Sequence, residues 1–228
     1  MKENILENIH QKTVQLLEEV NAQLDSENKL GYNGQFYSGS LNPEILFVGY
    51  NPGGEPCKKS HYNSFELKEI KYIDEKKDNL KLAKEIYFII ENVMGLNAEE
   101  YLKNKTAEIN FIHFNTPNID IYKKNIKNLK QDTKNKLSKH FIKSFEKIIN
   151  IIKPKVIFII GMRTYDELNK KKLFNIIKEF KDKNGHRLCY KAILDGKKIN
   201  VVISKHLSST ISDSDRGLIG ADCLKEML

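Results

Sequence analysis

Ile45, Leu46, Phe47 and Val48 form an unbroken apolar run that stops at Gly49, and no other stretch restricts the fold as much. Four consecutive apolar residues suit a strand buried on both faces, the kind found in parallel sheets rather than in half-solvated antiparallel ones. The residues that follow, Tyr50-Asn51-Pro52-Gly53-Gly54, predict a stiff strand-end turn. Glycine there lets the backbone approach a ligand closely, and proline fixes one dihedral and removes an amide donor. In open α/β sheets, loops at the carboxyl ends of parallel strands are where ligands sit.

Further runs of the same kind recur along the chain, separated by helical spacing. Residues 3–24 carry Ile5, Ile9, Val14, Leu16, Leu17, Val20 and Leu24, which predicts an N-terminal packing helix without chemistry. The loop at 31–40 holds Tyr32, Phe36 and Tyr37, expected to anchor it to the core. A helix is expected over 80–94, ending at Gly95, and a second strand over 109–114, ending in Asn115-Thr116-Pro117. A helix over 137–152 is broken by Pro154, and Val156–Ile160 reads as a third buried strand. Helical character is expected over 164–180, in one piece or in two around Lys170–Lys172. Residues 188–194 and 199–203 flank Asp195-Gly196, a hairpin signal, and a short closing helix is expected over 216–228.

Alternating strands and helices predict an α/β fold: a three-layer α/β/α sandwich around a central, mainly parallel four-stranded sheet, in a single domain over 1–228. Asn51, Asn115 and His206 each follow a predicted strand. Strand ends in a parallel sheet share one edge, so the three are expected to line one pocket.

The formal charge is +8. Residues 1–30 hold three lysines against six carboxylates, so the remainder carries +11. A basic body points to a polyanionic partner, most simply nucleic acid. The densest run, from Tyr122 to His140, includes Lys123, Lys124 and Lys127 and reads either as a solvated face or as a phosphate-facing patch. Cys57, Cys189 and Cys223 have no metal-ligand spacing, so no metal, iron–sulfur cluster or other cofactor is expected. No apolar run reaches membrane-spanning length, and a cytoplasmic, monomeric protein is the expectation.

Four stretches, in order, resemble motifs of the uracil-DNA glycosylase superfamily, nearest to its single-strand-selective and mismatch-specific branches. They are GYNPGG at 49–54, FIHFNTP at 111–117, SKHLSS at 204–209 and RGLIG at 216–220. The resemblance covers most of the chain from Glu44 onward. It implies hydrolysis of the N-glycosidic bond of uracil, or of a related damaged base, flipped out of single- or double-stranded DNA. His206 corresponds to the donor to the uracil carbonyl, and Asn51 to the residue that orients the attacking water. Asn115 corresponds to the amide that pairs with the base edge. Gly49, Tyr50 and either Tyr62 or Phe65 would contact the base, the aromatic ring stacking on it. Ser208, Ser209, Thr210 and Ile211 would form the DNA-contacting loop, with Ile211 as the apolar wedge. Leu207 stands where the family motif has proline. A catalytically silent nucleic-acid binder on the same fold is the competing reading; a nucleotide-cofactor enzyme is the third, although GYNPGG lacks a phosphate-cradle spacing.

Overall fold

The computed structural model describes residues 1–34, 36–52, 65–170, 173–181, 183–194, 196, 199–209 and 211–228. Two compact units emerge, each assembled from separated stretches of chain. The first comprises Met1–Tyr37, Tyr50–Lys68 and Ile109–Ile152; the second comprises Ser38–Gly49, Glu69–Glu108 and Lys153–Leu228. The fold is α/β. Its seven strands among the described residues are β1 (Tyr37–Gly39), β2 (Ile45–Gly49), β3 (Thr106–Asn110), β4 (Val156–Ile160), β5 (Phe174–Lys181), β6 (Arg187–Leu194) and β7 (Ile199–Ser204). They lie in the order β1-β3-β2-β4-β7-β6-β5. The sheet belongs to the second unit except for Tyr37, Ile109 and Asn110.

The sheet is larger than the four strands expected, and it is mixed. β2, β4 and β7 pair in parallel, with Phe47 opposite Phe158 and Phe158 opposite Val202. β7, β6 and β5 then pair antiparallel. The expected hairpin between residues 188–194 and 199–203 is present as β6 and β7; Asp195 lies outside the described residues. Phe174–Lys181 is a strand rather than the second half of a helix. Phe174, Ile176, Ile177 and Phe180 fit either period, and ladder pairing with β6 decides for the strand. Among the described residues of that region, only Met162–Asn169 (α7) is helical.

β3 is also displaced from its expected place. The strand occupies Thr106–Asn110, and Phe111–Phe114 follow it as loop. Polar residues hid this strand. Thr106 donates to the Leu102 carbonyl at 2.7 Å, and Glu108 accepts from Ser38 at 3.1 Å with Lys71 at 3.8 Å. Polar side chains partnered in this way can be buried, and all five residues of β3 are.

In the second unit, Phe47, Phe158, Ile45, Val156 and Val202 form the sheet side of a core closed by Ile86, Ile89 and Ile90. Those three isoleucines come from α3 (Lys81–Phe88, numbered after α2 at Tyr72–Lys77) and from the π-helical turn Ile89–Val93. Gly95 at φ +73° ends this segment, as expected. α4 (Ala98–Lys105) runs directly into β3.

In the first unit, α1 (Lys2–Asn21) packs against α6 (Gln131–Ile152), which starts about two turns earlier than the sequence indicated. Leu6, Ile9, His10, Thr13, Leu17 and Val20 form the buried face of α1. Tyr32, Phe36 and Tyr37 are buried, as their role in anchoring the loop requires. Among the described residues, no helix is long and apolar enough to cross a membrane.

Candidate functional site

The first unit holds Tyr50, Asn51 and Asn115. β2 ends at Gly49, and the Tyr50 carbonyl accepts from the Ile112 amide at 2.7 Å. This bond ties the start of the GYNP turn to the segment after β3. The Tyr50 ring meets Tyr122 edge-on at 6.3 Å. Tyr122 lies on α5 (Ile119–Ile126), whose N-cap Asn118 accepts from the amides of Asp120 and Ile121.

Asn51 is held by its amide nitrogen, which donates to the Thr116 carbonyl at 2.8 Å and to the Thr116 hydroxyl at 3.0 Å. Both amide hydrogens are thereby used, and the carbonyl oxygen of Asn51 keeps its acceptor capacity. Thr116 is buried and its hydroxyl donates onward to the Asn118 carbonyl. The Asn51–Thr116 pair thus joins the turn after β2 to the turn before α5.

Asn115 adjoins this link. Its backbone exchanges two hydrogen bonds with Gly31, at 2.8 and 3.4 Å, which fixes its Cα. The side chain is only 4% exposed, yet its Oδ1 has no hydrogen-bond partner among the described residues. A buried acceptor left unsatisfied costs about 1–3 kcal/mol. A ligand N–H donor would remove that penalty.

Phe65 is half-buried, with its ring 5.4 Å from Phe36 and its amide bonded to Glu7. Phe36 in turn lies 4.7 Å from the His113 ring. Tyr62, Thr210, Gly53 and Gly54 lie outside the described residues. Lys124 and Lys127 are exposed and Lys123 is half-buried, at the C-terminal end of α5 and just past it.

Sequence reasoning missed a polar cluster beside these residues. The Thr13 hydroxyl donates to the Ile9 carbonyl at 2.8 Å, which leaves its oxygen to accept from His113 Nδ1 at 3.0 Å and His140 Nε2 at 2.9 Å. His113 Nδ1 and His140 Nε2 therefore both donate to Thr13. Burial drives the His113 pKa well below its usual value, with His140 adding to the effect. Burial, then Lys12 and Lys147, lowers His140 to about 4. The signal was present in the spacing 6, 9, 10, 13, 17, 20, but counting apolar residues alone excludes His10 and Thr13 from that face.

His206 belongs to the second unit, two residues beyond β7. It is exposed at the surface, but its ring lies against Gly161, where a Cβ would stand 3.3 Å from the ring Cδ2. Gly161 has φ +96°, a conformation glycine adopts without strain, and it starts α7. Nδ1 of His206 faces the Ser208 amide at 3.3 Å and the Ser208 hydroxyl at 2.7 Å. An amide can only donate, so Nδ1 accepts and the neutral ring carries its proton on Nε2. Partial burial lowers the His206 pKa, favouring that neutral form.

The turn after His206 is closed by Ser209, whose amide and hydroxyl both reach the His206 carbonyl, at 2.9 and 2.6 Å. Leu207 is fully buried in the core of the second unit, which accounts for an apolar residue at this position. Ile211 is buried in the same core, 6% exposed, rather than projecting as the wedge expected of it. Arg216, on α8 (Asp213–Gly217), makes a two-point bond to Glu85 at 2.6 and 2.7 Å. It serves as a latch to α3.

No protein-family model matches the chain, and comparison with curated proteins finds no match.

Proposed function

We propose that the protein is a monofunctional DNA glycosylase that hydrolyses the N-glycosidic bond of uracil, or of a related damaged base, flipped from DNA. The observation that carries this reading is the buried Oδ1 of Asn115, which has no hydrogen-bond partner among the described residues. The imide edge of uracil offers an N–H donor beside a carbonyl acceptor, and a primary amide is its complement: Oδ1 accepts and Nδ2 donates. Base extrusion brings that edge into reach of a protein side chain.

The reaction breaks the bond between the sugar C1′ and the base nitrogen. The bonding electrons leave with the base and spread onto its carbonyl oxygens, while the sugar becomes oxocarbenium-like. A neutral His206 with its proton on Nε2 is suited to donate to the oxygen where that charge gathers. A fixed donor aimed at developing charge stabilises the transition state more than the ground state. Water adds to C1′ and releases its proton to solvent. Asn51, its nitrogen already engaged by Thr116, accepts from that water through Oδ1 and orients it; an amide is no general base near neutral pH. Gly49 and Tyr50 lie beside the base, Phe65 is the described candidate for stacking on it, and Ser208 and Ser209 contact phosphates. Lys123, Lys124 and Lys127 supply positive charge toward the DNA backbone.

The fold is part of the same proposal. β3, β2, β4 and β7 are consecutive in the strand order and would form the four-stranded centre of a three-layer α/β/α sandwich. β1, β5 and β6 would then be additions to it.

The test is excision from a uracil-containing oligonucleotide, read by alkaline cleavage at abasic sites, for the wild type and Asn115→Asp. The wild type is expected to excise, and Asn115→Asp to lose most activity because a carboxylate cannot donate to the base carbonyl. A wild type inert on uracil, hypoxanthine and mismatched substrates would leave a silent nucleic-acid binder instead.

A further inference from the structure

Between α1 and α6 the first unit has a cavity of about 360 Å³ that none of the proposed catalytic residues lines. Its walls carry Lys12 from α1 and Lys136, Lys139, Lys143 and Lys147 from α6, all exposed. Ile9 and Leu16 supply apolar surface, and the only carboxylate among the described lining residues is Glu19. Glu19 is already committed to Lys136 at 2.8 Å. Lys12, Lys139, Lys143 and Lys147 form no ion pair with a described residue. The crowding is felt at His140 in the same wall, where Lys12 and Lys147 reinforce the pKa depression caused by burial.

The arrangement of these charges indicates the shape of the ligand. The α6 lysines recur at steps of three, four and four, so they form one row along one face of the helix. Eleven residues at about 1.5 Å each give a row of about 16 Å. Even one strand of a duplex spaces its phosphates by only about 3.4 Å along the axis, so the row is long enough to face several successive phosphates of one strand. A linear row of cations suits a linear polyanion; a compact anion would reach only part of it.

We propose that the groove between α1 and α6 is a track for the phosphodiester backbone of a nucleic-acid strand. This deepens the nucleic-acid side of the function proposed above and rests on that reading. The track contributes affinity without reading sequence, since lysines here face phosphates rather than base edges. It is separate from the α5 lysines, so binding through it persists when Lys123, Lys124 and Lys127 are neutralised.

The experiment uses the full chain and a uracil-free, single-stranded thymidine 20-mer, so that base excision plays no part in the readout. Binding is measured between 50 and 300 mM salt (about a sixfold range) for the wild type and for Lys12→Gln/Lys139→Gln/Lys143→Gln/Lys147→Gln. All four side chains are exposed, and thermal melting checks that the variant folds. The wild type is expected to bind with a steep salt dependence. Each phosphate of a single strand that is no longer neutralised flattens the slope of log K against log salt by about 0.7, so the variant slope should be flatter by about 3. An unchanged affinity and slope overturns the track, whatever the excision assay gives. So does displacement of the 20-mer by tripolyphosphate at equal phosphate concentration, which would mark a compact-anion site. Loss of the track with uracil excision intact on a short oligonucleotide would show that the two sites are separable.

Discussion

Three neighbours show how the chemistry available to a polar group is fixed. The Ser208 amide determines which nitrogen of His206 bears the proton, Thr116 determines which end of the Asn51 amide is left over, and Thr13 determines which nitrogen of His113 and of His140 donates. The last has a consequence for stability. An unfolded histidine takes up its proton as pH falls below about 6.5. In the folded protein His140, packed between Thr13, His113, Lys12 and Lys147, does so only near 4. The unfolded state therefore binds more protons between those values, and stability, complete above about 6.5, is lost as pH falls toward 4. Melting temperature should drop across this window, and His140→Gln should lessen the drop. An identical pH profile for wild type and variant would remove His140 from the account.

Among the elements, those built on continuous apolar runs were legible in the sequence: Val156–Ile160 is a strand with the expected bounds, and Ile45–Gly49 extends the expected run by Gly49 alone. β3 was not, because Thr106, Glu108 and Asn110 are buried polar residues; the partners of Thr106 and Glu108 come from Leu102, Ser38 and Lys71, and no local pattern announces such partners. β5 was missed for a different reason, since apolar residues at 174, 176, 177 and 180 satisfy both periods until a neighbouring strand selects one. The close approach of β1 to β3 rests on Gly39, at φ +95°, where a Cβ would stand 2.5 Å from the Thr106 carbonyl oxygen. Neither backbone can yield cheaply, and positive φ adds strain of its own. Gly39→Ala is expected to destabilise the protein by at least about 2 kcal/mol, read by urea unfolding. A change below about 0.5 kcal/mol would show that β1 can move away from β3 at little cost.

At the scale of the whole molecule, the division into two units was not visible in the sequence because each unit is made of interleaved stretches with no linker between them. The candidate residues were legible as strand-end punctuation, but their settings were not: Asn115 lies five residues beyond β3, and Ile211 serves the core. The basic character of the chain, by contrast, was plain from composition. Replacing Lys123, Lys124 and Lys127 together by alanine should flatten the salt dependence of DNA binding by about 0.7–0.9 for each phosphate no longer neutralised. An unchanged slope would make that end of α5 a solvated face. The most direct test of the account is single-turnover excision of uracil by the intact protein and by His206→Ala, with DNA affinity measured in parallel. Losing one preorganised donor of this kind costs on the order of 100–1,000-fold, so the variant should be slower by about that factor while binding DNA equally well. Equal excision rates for the two proteins would contradict the assignment of His206 as the donor to the departing base.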